Sequence, residues 1–213
     1  MASTRQTKPT LLVLVRHGRT ETTGKVLPGR SPGLHLADAG RRQADAAAAR
    51  LAGIDIAAVY SSPLERARET AAPIARAART RVRRREGLNE CDFGDWTGRR
   101  LGDLRRRQEW RTVQAYPSGF RFPQGESFAQ MQARVTTQLR DLVAHHRGES
   151  IVAVSHADPI KAAVADALGV HLDHFQRIVI SPCSLTPILY TTTGPVVLAV
   201  NSTGGDLSTL AVS

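Results

Sequence analysis

Two short apolar strings in this 213-residue chain end in histidine: Leu11 to Val15 runs into Arg16-His17-Gly18, and Ile151 to Val154 runs into Ser155-His156. A neutral imidazole is a nucleophile, and a reference pKa of about 6.5 leaves most of it neutral at pH 7 before nearby cations lower that value further. Guanidinium forks match phosphate oxygens two at a time. If the two strings are parallel neighbours in one sheet, His17, His156 and Arg16 meet at a single edge. A third string, Ala57 to Ser61, leads through Ser62-Pro63-Leu64-Glu65 into Arg66 and brings a second arginine there on the first turn of a helix. Two arginines and two histidines repel one another unless a multiply charged anion lies among them, so phosphate is the expected occupant.

The elements that must hold these groups follow from hydrophobic spacing. Short apolar runs such as Leu11 to Val15 suit strands covered on both faces, and chemistry at their C-terminal ends is where open α/β sheets put their sites. Asp38 to Leu51, with an acidic start and Gly53 just beyond, predicts a helix. Leu64 to Ala78 predicts another, which Pro73 should kink or divide. Arg81 to Arg85 reads as a short edge strand. Phe128, Met131, Val135, Leu139, Leu142 and Val143 recur at spacings of three and four, an amphipathic helix over Ser127 to His146 that Gly148 ends. Pro159 to Leu168 predicts a helix with proline at an early position. Gln176 to Ile180, Leu185 to Tyr190 and Val196 to Val200 read as the last strands, with loops at Thr191 to Pro195 and Asn201 to Gly205. Alternating strands and helices predict a three-layer α/β/α fold with a mainly parallel central sheet. No repeat or linker divides the chain, so residues 1–213 read as one domain, with 1–9 a flexible tail.

Composition narrows the class. Apolar residues at 41% exclude a disordered chain, and the longest aliphatic run is far below the roughly 20 residues of a membrane span. That run is also too short for a signal peptide, and Cys91 and Cys183 form neither a disulfide framework nor a metal pair, which together predict a cytoplasmic protein. Lys and Arg number 29 against 19 Asp and Glu, a net charge of +10, and only Lys8, Lys25 and Lys161 are lysines. The excess is densest from Arg76 to Arg111, where twelve arginines face six acids. Such a field favours anionic partners. Aromatic residues are only 5% and no nucleic-acid motif is present, so a small phosphorylated substrate fits better than nucleic acid.

The ordered strings LVRHGRT, LHLADAGRRQA, VYSSPLERARETA, LNECDFGDWTG, FPQGESF and IVAVSHADPIKAAV resemble the histidine phosphatase superfamily, the phosphoglycerate mutase-like family, over most of the chain. The resemblance implies a phosphoglycerate mutase-like fold in the phosphatase branch. It implies that His17 is the phosphorylated nucleophile, that Arg16, Arg66 and His156 hold the phosphoryl oxygens, with help from the peptide N–H near Ala157, and that Glu90 is the proton donor. A carboxyl with a reference pKa of about 4.3 is protonated only about one part in 500 at pH 7, but an arriving phosphate dianion should raise that value. Glu90 could then protonate a leaving alkoxide and, as carboxylate, activate the water that hydrolyses phosphohistidine. The arginines and His156 would meet the charge on the transferring group, so neither metal nor cofactor is expected.

The sequence departs from the family pattern in three places. Thr22 and Thr23 stand where many members carry Asn, and Thr23 could supply a hydroxyl to the substrate; Ala157 replaces a common Gly, and Ala37 a common Thr. The short stretch between Glu90 and His156 favours hydrolysis over mutase chemistry. A phosphoglycerate mutase-type phosphomutase remains the alternative enzyme, and a phospho-ligand or nucleic-acid binding module using Arg76 to Arg111 the alternative of another class. A homodimer is compatible with the chain. Trp96 and Trp110 read as residues that roof the core, with packing on the substrate side as the alternative. His171 and His174 have helical spacing but no third ligand. His145 and His146 suit a helix C-terminus, and Glu126 reads as a cap of the following helix or as an acid that orients a substrate arginine.

Overall fold

The apolar string ahead of His17 forms β1 (Thr10–Arg16), buried along its length to a half-buried Arg16. The computed structural model describes residues 8–205, so the expected tail over residues 1–9 lies outside the described residues except for Lys8 and Pro9. Five further strands join β1 in one sheet: β2 (Ile56–Ser61), β3 (Val82–Arg84), β4 (Ser150–Ser155), β5 (Leu185–Thr191) and β6 (Gly194–Val197). Their order is β3-β2-β4-β1-β5-β6. The pairs β1–β4, β2–β4 and β2–β3 are parallel, while β5 runs antiparallel to both β1 and β6.

Alternation along β1 explains why its sequence is apolar throughout. Leu11, Val13 and Val15 join one apolar cluster and Leu12 and Leu14 the other, because successive side chains leave opposite faces of a strand. The first cluster is closed by Ala44, Ala47 and Ala48 of α1 (Asp38–Arg50) and by Ala67, Ala71 and Ile74 of α2 (Glu65–Ala77). The second is closed by α5 (Phe128–His145) and α6 (Ala157–Ala167). Two short helices, α3 (Leu101–Leu104) and α4 (Gln108–Ala115), carry Leu104 and Val113 into that second cluster beside Trp96, Phe120 and Phe122. Each fully buried aliphatic side chain contributes about 1.5–3 kcal/mol of transfer free energy, so a strand buried on both faces is held from both sides.

Sequence and structure differ at several elements. Pro73 lies inside α2 without dividing it, because Ala71, Ile74 and Ala75 are buried on either side of the lost hydrogen bond. No strand forms over Gln176 to Ile180: Leu172–Arg177 is a 3₁₀ segment, Phe175 packs on Phe128 with ring centroids 5.0 Å apart, and the Ile180 carbonyl accepts from Arg16 Nη1 at 2.6 Å instead of joining a ladder. The last strand begins at Gly194, and Thr191 pairs with Gly194, so the loop expected over Thr191 to Pro195 is a tight hairpin turn. Ser127 caps α5 in a reciprocal capping box with Gln130, so Glu126 is not the cap.

Candidate active site

Register brings the two histidines together. Val15 lies opposite Val154 and Arg16 opposite Ser155 in the β1–β4 pair, so His17 and His156 follow side by side just past the paired edge. Their rings stand edge to face with centroids 5.1 Å apart. Ser61 lies opposite Val154 on the other flank of β4, and Arg66 returns on the first turn of α2.

Each group has a defined setting. His17 Nδ1 is 2.8 Å from the Gly18 carbonyl, which can only accept, so Nδ1 carries the proton and Nε2 the lone pair. Arg66 Nε donates to that same Nε2 at 3.3 Å, which requires the same tautomer. Arg66 is fully buried and anchored by Nη2 donating to the Gly29 carbonyl at 2.7 Å. His156, also fully buried, forms the N-cap of α6, with Nε2 2.8 Å from Ser62 Oγ. Within this cluster three buried donors or potential donors have no protein partner: Arg16 Nε, Arg66 Nη1 and His156 Nδ1. Buried polar groups are costly to leave unpaired, so three at one point mark a place for a polar ligand.

Glu90 completes the cluster from a loop. Its Oε2 is 4.0 Å from His156 Nδ1, and its Oε1 accepts from the Cys91 N–H at 2.9 Å. Burial and the neighbouring Asp158 carboxylate push its pKa up to about 7, against the pull of Arg66 and Arg16. Burial and the cations Arg66 and Arg16 hold His17 well below the ordinary histidine range, and the same causes act on His156 together with His17 and Arg134. Near pH 7 the cluster thus holds two neutral imidazoles, two guanidinium cations and a carboxyl poised between its two states.

The structure brings together all five residues singled out for catalysis: Arg16, His17, Arg66, Glu90 and His156. Arg16, His17 and Glu90 line a cavity of about 520 Å³, beneath which Arg66 and His156 lie without exposed surface. Thr23 and Ala157 line the same cavity. The Thr23 hydroxyl accepts from the Thr20 N–H at 2.8 Å, and Ala157 is the first residue of α6, where backbone N–H groups have no partner within the helix. Beyond the polar end, Val26, Leu27, Trp110, Val113 and Phe122 form an apolar wall. Trp96 is buried among Trp110, Phe120 and Phe122, while Trp110 belongs to the wall.

Other residues act differently from their sequence reading, or were not read at all. Glu126 accepts from Arg30 Nη2 at 2.9 Å, from Arg134 Nε at 2.7 Å and from the Asp92 N–H at 3.0 Å. Arg30 Nε and Arg134 Nη2 also donate to the Glu90 carbonyl, so this clasp fixes the backbone that carries the carboxyl. An arginine beside Met131 and Val135 on the buried stripe of α5 was the available sign of Arg134. Asp158 and Lys161, paired at 3.3 Å, line the cavity, and Lys161 also donates to Gln176 Oε1 at 3.0 Å. His146 does not simply cap a helix: it is buried and bonded to Tyr60 Oη at 2.7 Å and Glu149 Oε2 at 2.5 Å. His171 Nδ1 accepts from the Asp173 N–H at 3.3 Å.

Comparison with known proteins agrees with this geometry. A bifunctional protein of Mycobacterium tuberculosis (strain ATCC 25618 / H37Rv) is 36% identical over 201 residues, 92% of this chain, and the chain spans only 55% of that relative's length. Phosphoserine phosphatase 1 of Hydrogenobacter thermophilus is 32% identical over 77% of this chain and 79% of its own. A 2,3-bisphosphoglycerate-dependent phosphoglycerate mutase of Thermoplasma acidophilum is 31% identical over 84% and 86%. The structure of an Entamoeba histolytica phosphoserine phosphatase mutant with phosphoserine superimposes with a TM-score of 0.81 at 30% identity, covering 91% of this chain and 98% of the other. The model of the histidine phosphatase superfamily (branch 1) matches residues 12–203, and the chain belongs to that family.

Proposed function

We propose that the protein hydrolyses phosphate monoesters of small metabolites through a phosphohistidine on His17. The observation that carries this reading is the convergence of one nucleophilic lone pair, His17 Nε2, with three unpartnered buried groups on Arg16, Arg66 and His156. The two guanidinium charges match a phosphate dianion, and the cavity leaves room for a leaving group.

In the first step the His17 Nε2 lone pair attacks phosphorus and the ester P–O bond breaks. The Glu90 proton passes to the departing alkoxide, which leaves as alcohol. Positive charge developing on the ring is met by the Gly18 carbonyl at Nδ1–H, and charge on the equatorial oxygens by Arg16, Arg66 and His156. In the second step Glu90, now a carboxylate, takes a proton from water while the water oxygen bonds to phosphorus. The P–Nε2 bond breaks, the lone pair returns to His17, and inorganic phosphate departs. Glu90 is again protonated and His17 again neutral, so the cycle returns the enzyme to its starting state.

A phosphomutase is the second reading, supported by the Thermoplasma relative. The two separate on product analysis. Phosphoserine and 3-phosphoglycerate are the first esters to try, each with and without chelator. Free inorganic phosphate at an undiminished rate in chelator supports the hydrolase; an isomerised ester supports the mutase; a chelator-sensitive rate contradicts catalysis by side chains alone. We propose a cytoplasmic setting and a single domain, a reading supported by the buried free thiols Cys91 and Cys183; no helix of the described residues is long and apolar enough to cross a membrane.

A further inference from the structure

His156 can help a phosphoryl oxygen only if the nitrogen facing the site is a donor. That nitrogen is Nδ1, buried and without a protein partner, 4.0 Å from Glu90 Oε2. A neutral imidazole has one N–H, and a lone pair on Nδ1 would repel an oxyanion. Two arrangements supply the proton: an imidazolium, or the neutral tautomer protonated at Nδ1 and unprotonated at Nε2.

Nε2 meets Ser62 Oγ at 2.8 Å. Ser62 is fixed independently, because its backbone N–H extends the β2–β4 ladder by donating to the Val154 carbonyl at 2.9 Å. The hydroxyl has one proton and two candidate acceptors, His156 Nε2 at 2.8 Å and Asn89 Oδ1 at 3.3 Å. Asn89 Oδ1 already accepts from the Glu90 N–H at 3.2 Å, and the Ser62 oxygen is offered the Leu64 N–H at 3.4 Å. Donation from Ser62 to His156 uses the shorter contact and still leaves Asn89 Oδ1 and Ser62 Oγ with backbone donors.

We infer that Ser62 is a positioning residue: its hydroxyl donates to His156 Nε2 and so selects the neutral tautomer that turns Nδ1–H toward the phosphoryl group. The inference rests on the reading that the phosphoryl group is held between His17 and His156. The groups facing His156 explain why tautomer choice rather than protonation does this work. Arg16, Arg66 and Arg134 are cations, His17 packs edge to face against it, and the acids on this side are Glu90, 4.0 Å from Nδ1, and Asp158 in the first turn of α6. With burial, the three arginines oppose a further positive charge at this point.

Two-bond proton–nitrogen NMR correlations of selectively labelled His156 test this directly, on the wild-type protein with and without inorganic phosphate. A protonated Nδ1 and an unprotonated Nε2 in both samples are expected; a protonated Nε2 with a bare Nδ1, or an imidazolium at pH 7, overturns the inference. Ser62→Ala should lose the tautomer preference and cost about tenfold to a hundredfold in kcat at pH 7, by analogy with the range for removing the outer hydrogen bond that orients a metal-bound histidine. Its rate relative to wild type should recover as pH falls below the ordinary histidine range, where protonation restores Nδ1–H. An unchanged tautomer with a pH-independent rate ratio would mean a structural role only. Should Ser62→Ala fail to fold, the wild-type spectrum still decides. In His17→Ala turnover should vanish while the His156 tautomer persists, so failure of the hydrolase reading and failure of this inference remain distinguishable.

Discussion

Arg66 Nε–H points at His17 Nε2 from 3.3 Å, and in the proposed reaction that nitrogen's lone pair attacks phosphorus. The contact cannot survive the attack, because the lone pair it engages becomes the new N–P bond. On that proposal Arg66 would hold His17 neutral and oriented in the free protein and turn to the phosphoryl oxygens as the bond forms, while the Gly29 carbonyl keeps its other end in place.

Replacing Arg66 should separate those two tasks. Arg66→Gln removes a transition-state donor and is expected to lower kcat by about 10²–10³-fold. Because the Arg66 cation also depresses His17, the His17 pKa should rise toward its ordinary value, read by NMR titration of the ring. A kcat near wild type with an unmoved titration would mean that Arg66 serves neither role.

In the proposed reaction Glu90 sets the pH dependence. With its pKa raised to about 7, the protonated acid needed to expel a poor leaving group is lost above that pH, so kcat/KM for alkyl phosphates should fall through about pH 7. Glu90→Gln should lose that limb and be slowest with alkyl esters, and far less impaired in forming phosphoenzyme from an aryl ester whose leaving group needs no proton. Stability follows by linkage. Between pH 4.5 and about 7 the folded state keeps a proton that the unfolded chain has released, so this group's contribution declines as pH rises through that window. Glu90→Gln is accordingly expected to gain stability relative to wild type at pH 8 but not at pH 4, by up to about 3 kcal/mol in chemical denaturation. An equal difference at both pH values would contradict the raised pKa. His17 and His156 act with the opposite sign: their depressed pKa values drain stability as pH falls through about 6.5, where the unfolded chain takes up protons first.

The close approach of the His17 loop to α1 leaves no room for a side chain. A Cβ on Gly40 would lie 2.1 Å from the Arg19 carbonyl oxygen, and one on Gly18 would lie 2.6 Å from the Gly40 carbonyl oxygen. Both obstacles are backbone. Gly40→Ala should therefore cost about 1–3 kcal/mol, seen as a lowered denaturation midpoint, and should reduce activity by displacing the residues after His17. A fully stable and active Gly40→Ala would show that the two segments are farther apart.

Much of this was legible in the chain because the relevant signals were local. Each of the strings LLVLV and IVAV had to be buried on two faces, and a histidine at the end of each fixed where chemistry would sit. Arg66 was legible because one helical turn after a strand has few places to go. What escaped was set by partners distant in sequence. Ile180 looked like a strand residue, but its carbonyl is taken by Arg16. Pro73 looked like a break, but burial on both sides carries α2 through it. Glu126 was visible as an acid, yet its role depends on Arg30 and Arg134, 96 and 8 residues away, and no spacing rule joins the three. Ser62 and Asp158 were unremarkable until the fold turned them toward His156 and Glu90.

That clasp should be tested by Glu126→Gln, which keeps the shape and removes the charge shared by Arg30 and Arg134. The side chains are partly exposed, so a loss of about 1–2 kcal/mol is expected, below the cost of breaking a fully buried pair. With the Glu90 backbone less firmly held, kcat should fall more than KM rises. Unchanged kcat alongside the stability loss would restrict the clasp to a structural part.

The central claim is a covalent bond between His17 and phosphorus. Mixing the protein with a ³²P-labelled phosphomonoester and quenching in alkali should trap label on the protein that survives base, is released by acid, and is absent from His17→Ala. Label that persists in His17→Ala, or turnover with no acid-labile phosphoprotein under single-turnover conditions, would contradict the mechanism.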